Sequence, residues 1–303
     1  MWQYLLSRAA SAVLVVLVAA SLVFFLIRLS GDPVQMMLRE TSGEQQAQAL
    51  RHAFGLDRSL AAQYVSFLGN ALRGDFGTSF RYDQPALFLV LERLPATLEL
   101  ALGSLVVSIL VSVPLGIAAA VRRGSAIDWL AGLLAVAGQS TPIFLLGILL
   151  ILVFAVNLHW LPSSGRELPV LPMVCLAAYS LPLTTRILRS SMLEALGHDY
   201  IRTARAKGVA ESIVIYVHAL RNALIPVITV IGMRMGFLIG GAVITEKIFG
   251  FPGVGRLALQ ALAYRDFPVI QAFIAVIALL VTTLNLAIDL LYAWLDPRIR
   301  VQG

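Results

Sequence analysis

The chain has 303 residues, 59% of them hydrophobic and 13% charged, with 23 Lys and Arg against 17 Asp and Glu. Soluble chains carry about 25% charged and 45–50% apolar residues, so a soluble fold, a disordered chain and a soluble nucleic-acid binder are all excluded. The single cysteine, Cys175, excludes a disulfide-stapled secreted domain. The chain reads as a polytopic membrane protein whose net charge of +6 needs a location.

A bilayer core of about 30 Å takes roughly 20 apolar residues per helix. The first segment of that length is Ala9–Leu29, too long for a signal-peptide core and therefore expected to be retained. Residues 31–95 then form a long loop. Within it, Leu60, Tyr64, Phe67, Leu68 and Leu72 recur at helical spacing, which predicts a helix over Ser59–Leu72 lying on an apolar surface. Gly74-Asp75-Phe76-Gly77 reads as a turn, and Pro85–Leu94 as an interfacial helix leading into span 2, with Pro95 at the junction. The loop is either a cap on the bundle or a docking platform for an external partner.

Span 2 covers Ala96–Val121 and span 3 covers Trp129–Val156. Gln139-Ser140-Thr141-Pro142 interrupts span 3, as a bend or as a polar patch on a pathway. Span 4, Pro169–Leu188, holds Cys175, expected to be a small buried hydrophobe. In the segment 190–222 that follows, Asp199 is expected to cap a helix starting at Tyr200, and Gly208 to stop it. Span 5, Ala223–Thr245, places Gly232, Gly236 and Gly240 at intervals of four, a spacing for close helix packing within this subunit or on another. Arg234 lies near its middle, where a charge is costly and marks a cavity or a partner, or else pairs internally, with Asp289 as the candidate. Span 6, Val269–Leu295, carries Asp289 about 9 Å from its inner end.

With the N-terminus in the cytoplasm, segments 1–8, 122–128, 186–222 and 296–303 face inward. They carry a net +6, the charge of the whole chain, while the outer segments sum to zero. That is the positive-inside pattern. Catalytic readings fail by inspection. The only lysines precede Gly208 and Ile248, so no phosphate-cradling Gly-Lys-Ser/Thr exists. Histidine-pair metalloprotease spacing and the Gly-x-Ser-x-Gly elbow are missing from the sequence. His52, His159, His198 and His218 are scattered over both faces, which does not suit a metal site.

The inner segment becomes specific at Asp199-Tyr200-Ile201-Arg202-Thr203-Ala204-Arg205-Ala206-Lys207-Gly208, followed nine residues later by His218-Ala219-Leu220-Arg221-Asn222. This resembles the coupling-loop signature of ABC importer permeases of the dipeptide/oligopeptide/nickel family, with Arg202-Thr203-Ala204 where the family has glutamate-alanine-alanine. Glu194-Ala195 lacks a glycine at the required distance. Further matches are Gly31-Asp32-Pro33, Phe54-Gly55-Leu56-Asp57, Gly74–Ser79, Arg93–Leu98, Thr245–Arg256 and Leu295–Arg300. The long loop after span 1 resembles that of the B-type, first permease of the pair.

The resemblance implies an all-α, six-span type I ABC importer permease fold with cytoplasmic N- and C-termini, in the bacterial inner membrane. It divides the chain into an N-terminal span (1–30), an extracytoplasmic loop (31–95) and a five-span core (96–303) with a coupling loop at 190–222. It implies a paralogous C-type permease, two cytoplasmic ATPase subunits and an extracytoplasmic substrate-binding protein, around a chain that contacts membrane lipid and no nucleic acid. No cofactor is expected on this chain, since ATP-Mg belongs to the ATPases. The cargo is expected to be a di- or oligopeptide, with nickel or a metal chelate as the alternative within the family and a stand-alone carrier or channel as the reading outside it.

The expected roles follow. Ala204, Ala206 and Gly208 supply small residues for a groove on the ATPase, and Arg202, Arg205 and Lys207 pair with its acidic rim. His218, Arg221 and Asn222 tie the loop's return to span 5. Arg234, Gln139, Ser140 and Glu246 are pathway candidates, Glu246 alternatively packing the outer loop. Asp289 is a candidate brace to Arg186, Arg189 or Arg221.

Overall fold

A computed structural model describes residues 2–29 and 57–295, together with positions 45, 48 and 52. The motifs at Gly31-Asp32-Pro33, Phe54-Gly55-Leu56 and Pro297–Arg300 lie outside these residues. Among the described residues the continuous helices are, in chain order, α1 (Trp2–Leu29), α2 (Leu60–Ala71), α3 (Ala86–Val121), α4 (Ala126–Ser140), α5 (Ile143–Asn157), α6 (Val170–Gly197), α7 (Asp199–Ala206), α8 (Glu211–Ile248), α9 (Val254–Ala263) and α10 (Phe267–Leu295). Among the described residues the only β pairing is an isolated bridge, Thr78 to Pro85.

Helices α3, α6, α8 and α10 are each long and apolar enough to cross a membrane. In α1 the apolar stretch among described residues is the shorter Val13–Leu26. Span 3 is broken at the interruption expected at Gln139-Ser140-Thr141-Pro142. It is two helices, α4 and α5, between which the chain turns by 109°. The cause is local: Thr141, which precedes Pro142, is extended (φ −88°, ψ 120°), as the proline ring requires of its predecessor. Its hydroxyl and N–H both donate to Ala137 O, satisfying the carbonyl at the break.

The chain forms two compact units: residues 1–95 with 253–303, and residues 96–252. This grouping differs from the linear division read from the sequence, because the last fifty residues belong with the first unit. The expected interfacial helix leads into span 2 as one element, α3, which runs through the junction at Pro95 without a break; proline inside a long apolar helix is tolerated in membranes.

In the first unit, α1 packs along α10, and α9 packs against α10. Helix α2 is capped by Ser59, whose hydroxyl accepts from the Ala62 N–H, and the Tyr64 hydroxyl bonds Ser21 on α1. Tyr64 and Phe67 also pack on Phe24, so the predicted amphipathic helix does lie on an apolar surface. The loop before α3 is tied to the one before α10, where the buried Ser79 hydroxyl donates to the buried Asp266 carboxylate at 2.5 Å.

The second unit is built on the contact of α6 with α8, with α4 and α5 also packed on α6. Pro182 inside α6 leaves the Ala178 carbonyl without its helical donor. Gly138 of α4 sits over that gap: a Cβ there would lie 2.7 Å from Pro182 Cγ and 3.2 Å from Ala178 O. Gly138→Ala should therefore cost about 1–3 kcal/mol through overpacking, read as a lowered thermal midpoint of the detergent-solubilised protein. Cys175 is wholly buried, with its thiol directed at Ile143 O, as a small apolar residue would be.

Candidate functional site

The coupling segment is described throughout. Helix α7 begins at Asp199, not at Tyr200 as expected; His198 occupies the N-cap position, without a side-chain capping bond. Asp199 instead lies in the first turn, where a carboxylate complements the helix dipole, 3.5 Å from Arg202.

The far end is a complete left-handed cap. Gly208 has φ +74°, its N–H donates to Arg205 O, and the Val209 N–H donates to Ala204 O. These are the two reversed bonds of a Schellman motif, which needs a residue at positive φ. The apolar contact that accompanies the motif is present, since Ala204 and Val209 both pack on the buried cluster of Leu188, Met192, Val214 and Val227. Ile201, itself fully buried, belongs to that cluster and is the anchor of α7.

The coupling residues are unequally exposed: Ala204 is half-buried against that cluster, whereas Ala206 and Gly208 are exposed. Arg205 is already paired, donating to Glu211 through Nε (3.0 Å) and Nη2 (2.6 Å) across the turn. Glu211 raises the Arg205 guanidinium above its already high value, so the pair stays charged through the physiological range. Arg202, Thr203 and Lys207 are exposed on the outer side of α7.

Tyr200 and Asn222 are brought together: Asn222 Nδ2 donates to the Tyr200 hydroxyl at 2.9 Å and more weakly to His218 O. Asn222 thus ties α7 to α8, while His218 and Arg221 are exposed beside it. The His198 ring stacks on Tyr200. The unexpected polar fixture near this end is Asp128, which caps the turn at Gly124 and holds Arg189 with both carboxylate oxygens, at 2.5 and 2.8 Å. Arg189 is therefore not available to Asp289, whose side chain lies outside the described residues. Ser125 three positions before Asp128 is the sequence signal for this cap, since Ser125 Oγ accepts the Asp128 N–H.

The pathway candidates are dispersed. Gln139 and Ser140 are exposed at the α4–α5 break. Glu246 is wholly buried and accepts a 2.5 Å bond from Thr97 Oγ1, so in this structure it packs the outer end of α8 and has no accessible surface. The glycine series is split: Gly232 is buried, Gly236 half-buried and Gly240 exposed with open space over it. The close approach is made by the neighbouring Gly241, where a Cβ would meet Leu176 at 3.1 Å. Arg234 is half-buried, its guanidinium 5.1 Å from the Tyr179 ring centre and 5.8 Å from that of Phe237.

The comparisons with known proteins cover the whole chain. Residues 112–301 match the family described as binding-protein-dependent transport system inner membrane component, and residues 1–101 match the N-terminal family of the same membrane components. The glutathione transport system permease protein GsiC of Salmonella typhimurium is 40% identical over 99% of both chains. The dipeptide transport system permease protein DppB of Alkalihalophilus pseudofirmus is 38% identical over 94% of this chain and 96% of its own. Among solved structures, the inward-facing MetNI methionine ABC transporter shares the fold, with a TM-score of 0.57 at 20% identity over 69% of this chain and 97% of that one. Four or five apolar helices, the ABC importer fold and full-length family matches lead to one conclusion: the chain belongs to the binding-protein-dependent transport system inner membrane component family, as a multi-pass inner-membrane permease subunit of an ABC importer.

Proposed function

We propose that this chain forms half of an ATP-driven import pathway for small peptides, paired with a paralogous C-type permease and loaded by an extracytoplasmic binding protein. Two cytoplasmic ATPase subunits supply the energy, one of them seated on α7, and ATP-Mg is bound by them and not by this chain. Both termini lie in the cytoplasm. The observation that carries the reading is the build of α7: a short helix anchored by Ile201, closed by Gly208 and stapled by Arg205–Glu211, which presents Arg202, Thr203, Ala206 and Lys207 outward. A rigid external knob of this kind transmits movement of a bound subunit into α6 and α8 as a rigid-body displacement.

The peptide cargo is supported by the names of the relatives, which specify glutathione and dipeptides. The test is reconstitution of the chain with the permease, ATPases and binding protein encoded beside it. ATP-dependent accumulation of a labelled di- or tripeptide in proteoliposomes is the expected result. Uptake that proceeds equally without ATP would sink the reading in favour of a carrier.

A further inference from the structure

Arg234 stands about 16 Å from either end of the apolar segment Ala223–Thr245, at the depth where a guanidinium facing lipid is most costly. It is held by two aromatic rings, Tyr179 at the middle of span 4 and Phe237 one turn further along α8. Among the described residues no carboxylate lies within ion-pair distance of it. Both rings are themselves open to the surface of this chain, at 44% and 62% exposure, as is Met233 at 58%. Because a guanidinium facing lipid at that depth is costly, we take the side of α8 that carries Arg234 to face the pathway or the partner permease.

The aromatic faces orient the guanidinium and offset part of its desolvation without neutralising it. Its N–H fork remains suited to a carboxylate. We infer that Arg234, framed by Tyr179 and Phe237, is an anion subsite on the translocation pathway that favours peptides bearing a side-chain carboxylate. The inference rests on the importer reading above and adds the charge class of its cargo. Three carboxylate sources compete, the cargo, the partner permease and Asp289, whose side chain lies outside the described residues; a cargo carboxylate alone makes the effect of Arg234 depend on the peptide's side chain.

The test compares uptake of three tripeptides of equal length, carrying a Glu, Gln or Lys side chain, by the reconstituted complex with the same binding protein throughout. Any preference of the binding protein cancels between wild type and variant. Arg234→Gln is expected to lower the Glu-to-Lys uptake ratio by about tenfold or more, the size of one lost charge-assisted hydrogen bond, and Arg234→Lys to retain most of it. An unchanged ratio, or an equal loss for all three peptides with reduced co-purification of the second permease, overturns the inference and assigns the carboxylate elsewhere. Should the Gln variant take up nothing, Arg234→Cys in the assembled complex decides: labelling by a water-soluble thiol reagent, blocked by the Glu peptide, supports the subsite, and lack of labelling refutes it. Absence of uptake by the wild-type complex would instead refute the importer reading, so the two failures are distinguishable.

Discussion

A Gly208→Asp variant is expected to lose ATP-dependent uptake, by about 5–30-fold at least, while still assembling in the membrane. Gly208 closes α7 at φ +74°, and an L-residue held there costs roughly 1–2 kcal/mol, which is the stated factor in a population. A Cβ on Gly208 would meet nothing within 4 Å in this chain, so steric conflict inside the subunit is not the reason. The loss comes from two sources: the strained cap, and a carboxylate on a surface whose neighbours Arg202 and Lys207 are proposed to meet an acidic rim. Two companions separate them. Gly208→Asn, which like Asp tolerates positive φ better than other residues, keeps the bulk without the charge; Gly208→Ala adds little bulk but bears the full strain of the cap. If both variants transport as well as wild type, neither the cap nor the contact matters and the coupling role of α7 falls.

Ile201→Ala should be nearly as damaging, by a different route. Its fully buried side chain is the main apolar anchor of an eight-residue helix, and helices of that length do not hold together alone in water. Truncating a buried Ile to Ala costs about 2–5 kcal/mol. The expected result is local detachment: faster amide exchange confined to residues 199–208, strongly reduced uptake, and an unchanged melting profile for the rest of the chain. Ile201→Val, which costs about 0.5–1.5 kcal/mol, should keep most activity. Uniformly faster exchange across α6 and α8 would show instead that Ile201 serves the whole inner core and that α7 is not a separable element.

How far this was readable in advance differs between elements. The length of each apolar run and the spacing from Asp199 through Gly208 to Asn222 are local or compositional properties, and they survive in the structure as helices α3, α6, α8 and α10 and as the capped α7. The 109° turn at Thr141-Pro142 was half-legible: the proline marks a break, yet only the packing of α4 and α5 on α6 sets its size.

The direction in which a side chain points was not legible. Ala204 and Ala206 are alike in sequence, but two positions apart on a helix they face different ways, and the buried cluster around Ile201 half-buries the first while the second stays exposed. The same holds for Arg205, taken by Glu211 across a turn, and for Arg189, taken by Asp128 from 61 residues away. Glu246 shows the limit from the other side, a carboxylate that tertiary packing buries against Thr97.

By itself, then, the sequence determined that this protein crosses the membrane several times, that its +6 is concentrated in a few inter-span segments, and to which transport family it belongs. Apolar length, charge sign and motif spacing are each written in consecutive residues. Only the tertiary structure decided which cations of those segments are already paired, which small residues are exposed, and that Arg234 sits against two aromatic rings without a carboxylate among the described residues. Those are facts about neighbours distant in the chain, and they depend on how helices pack rather than on how long or how greasy each one is.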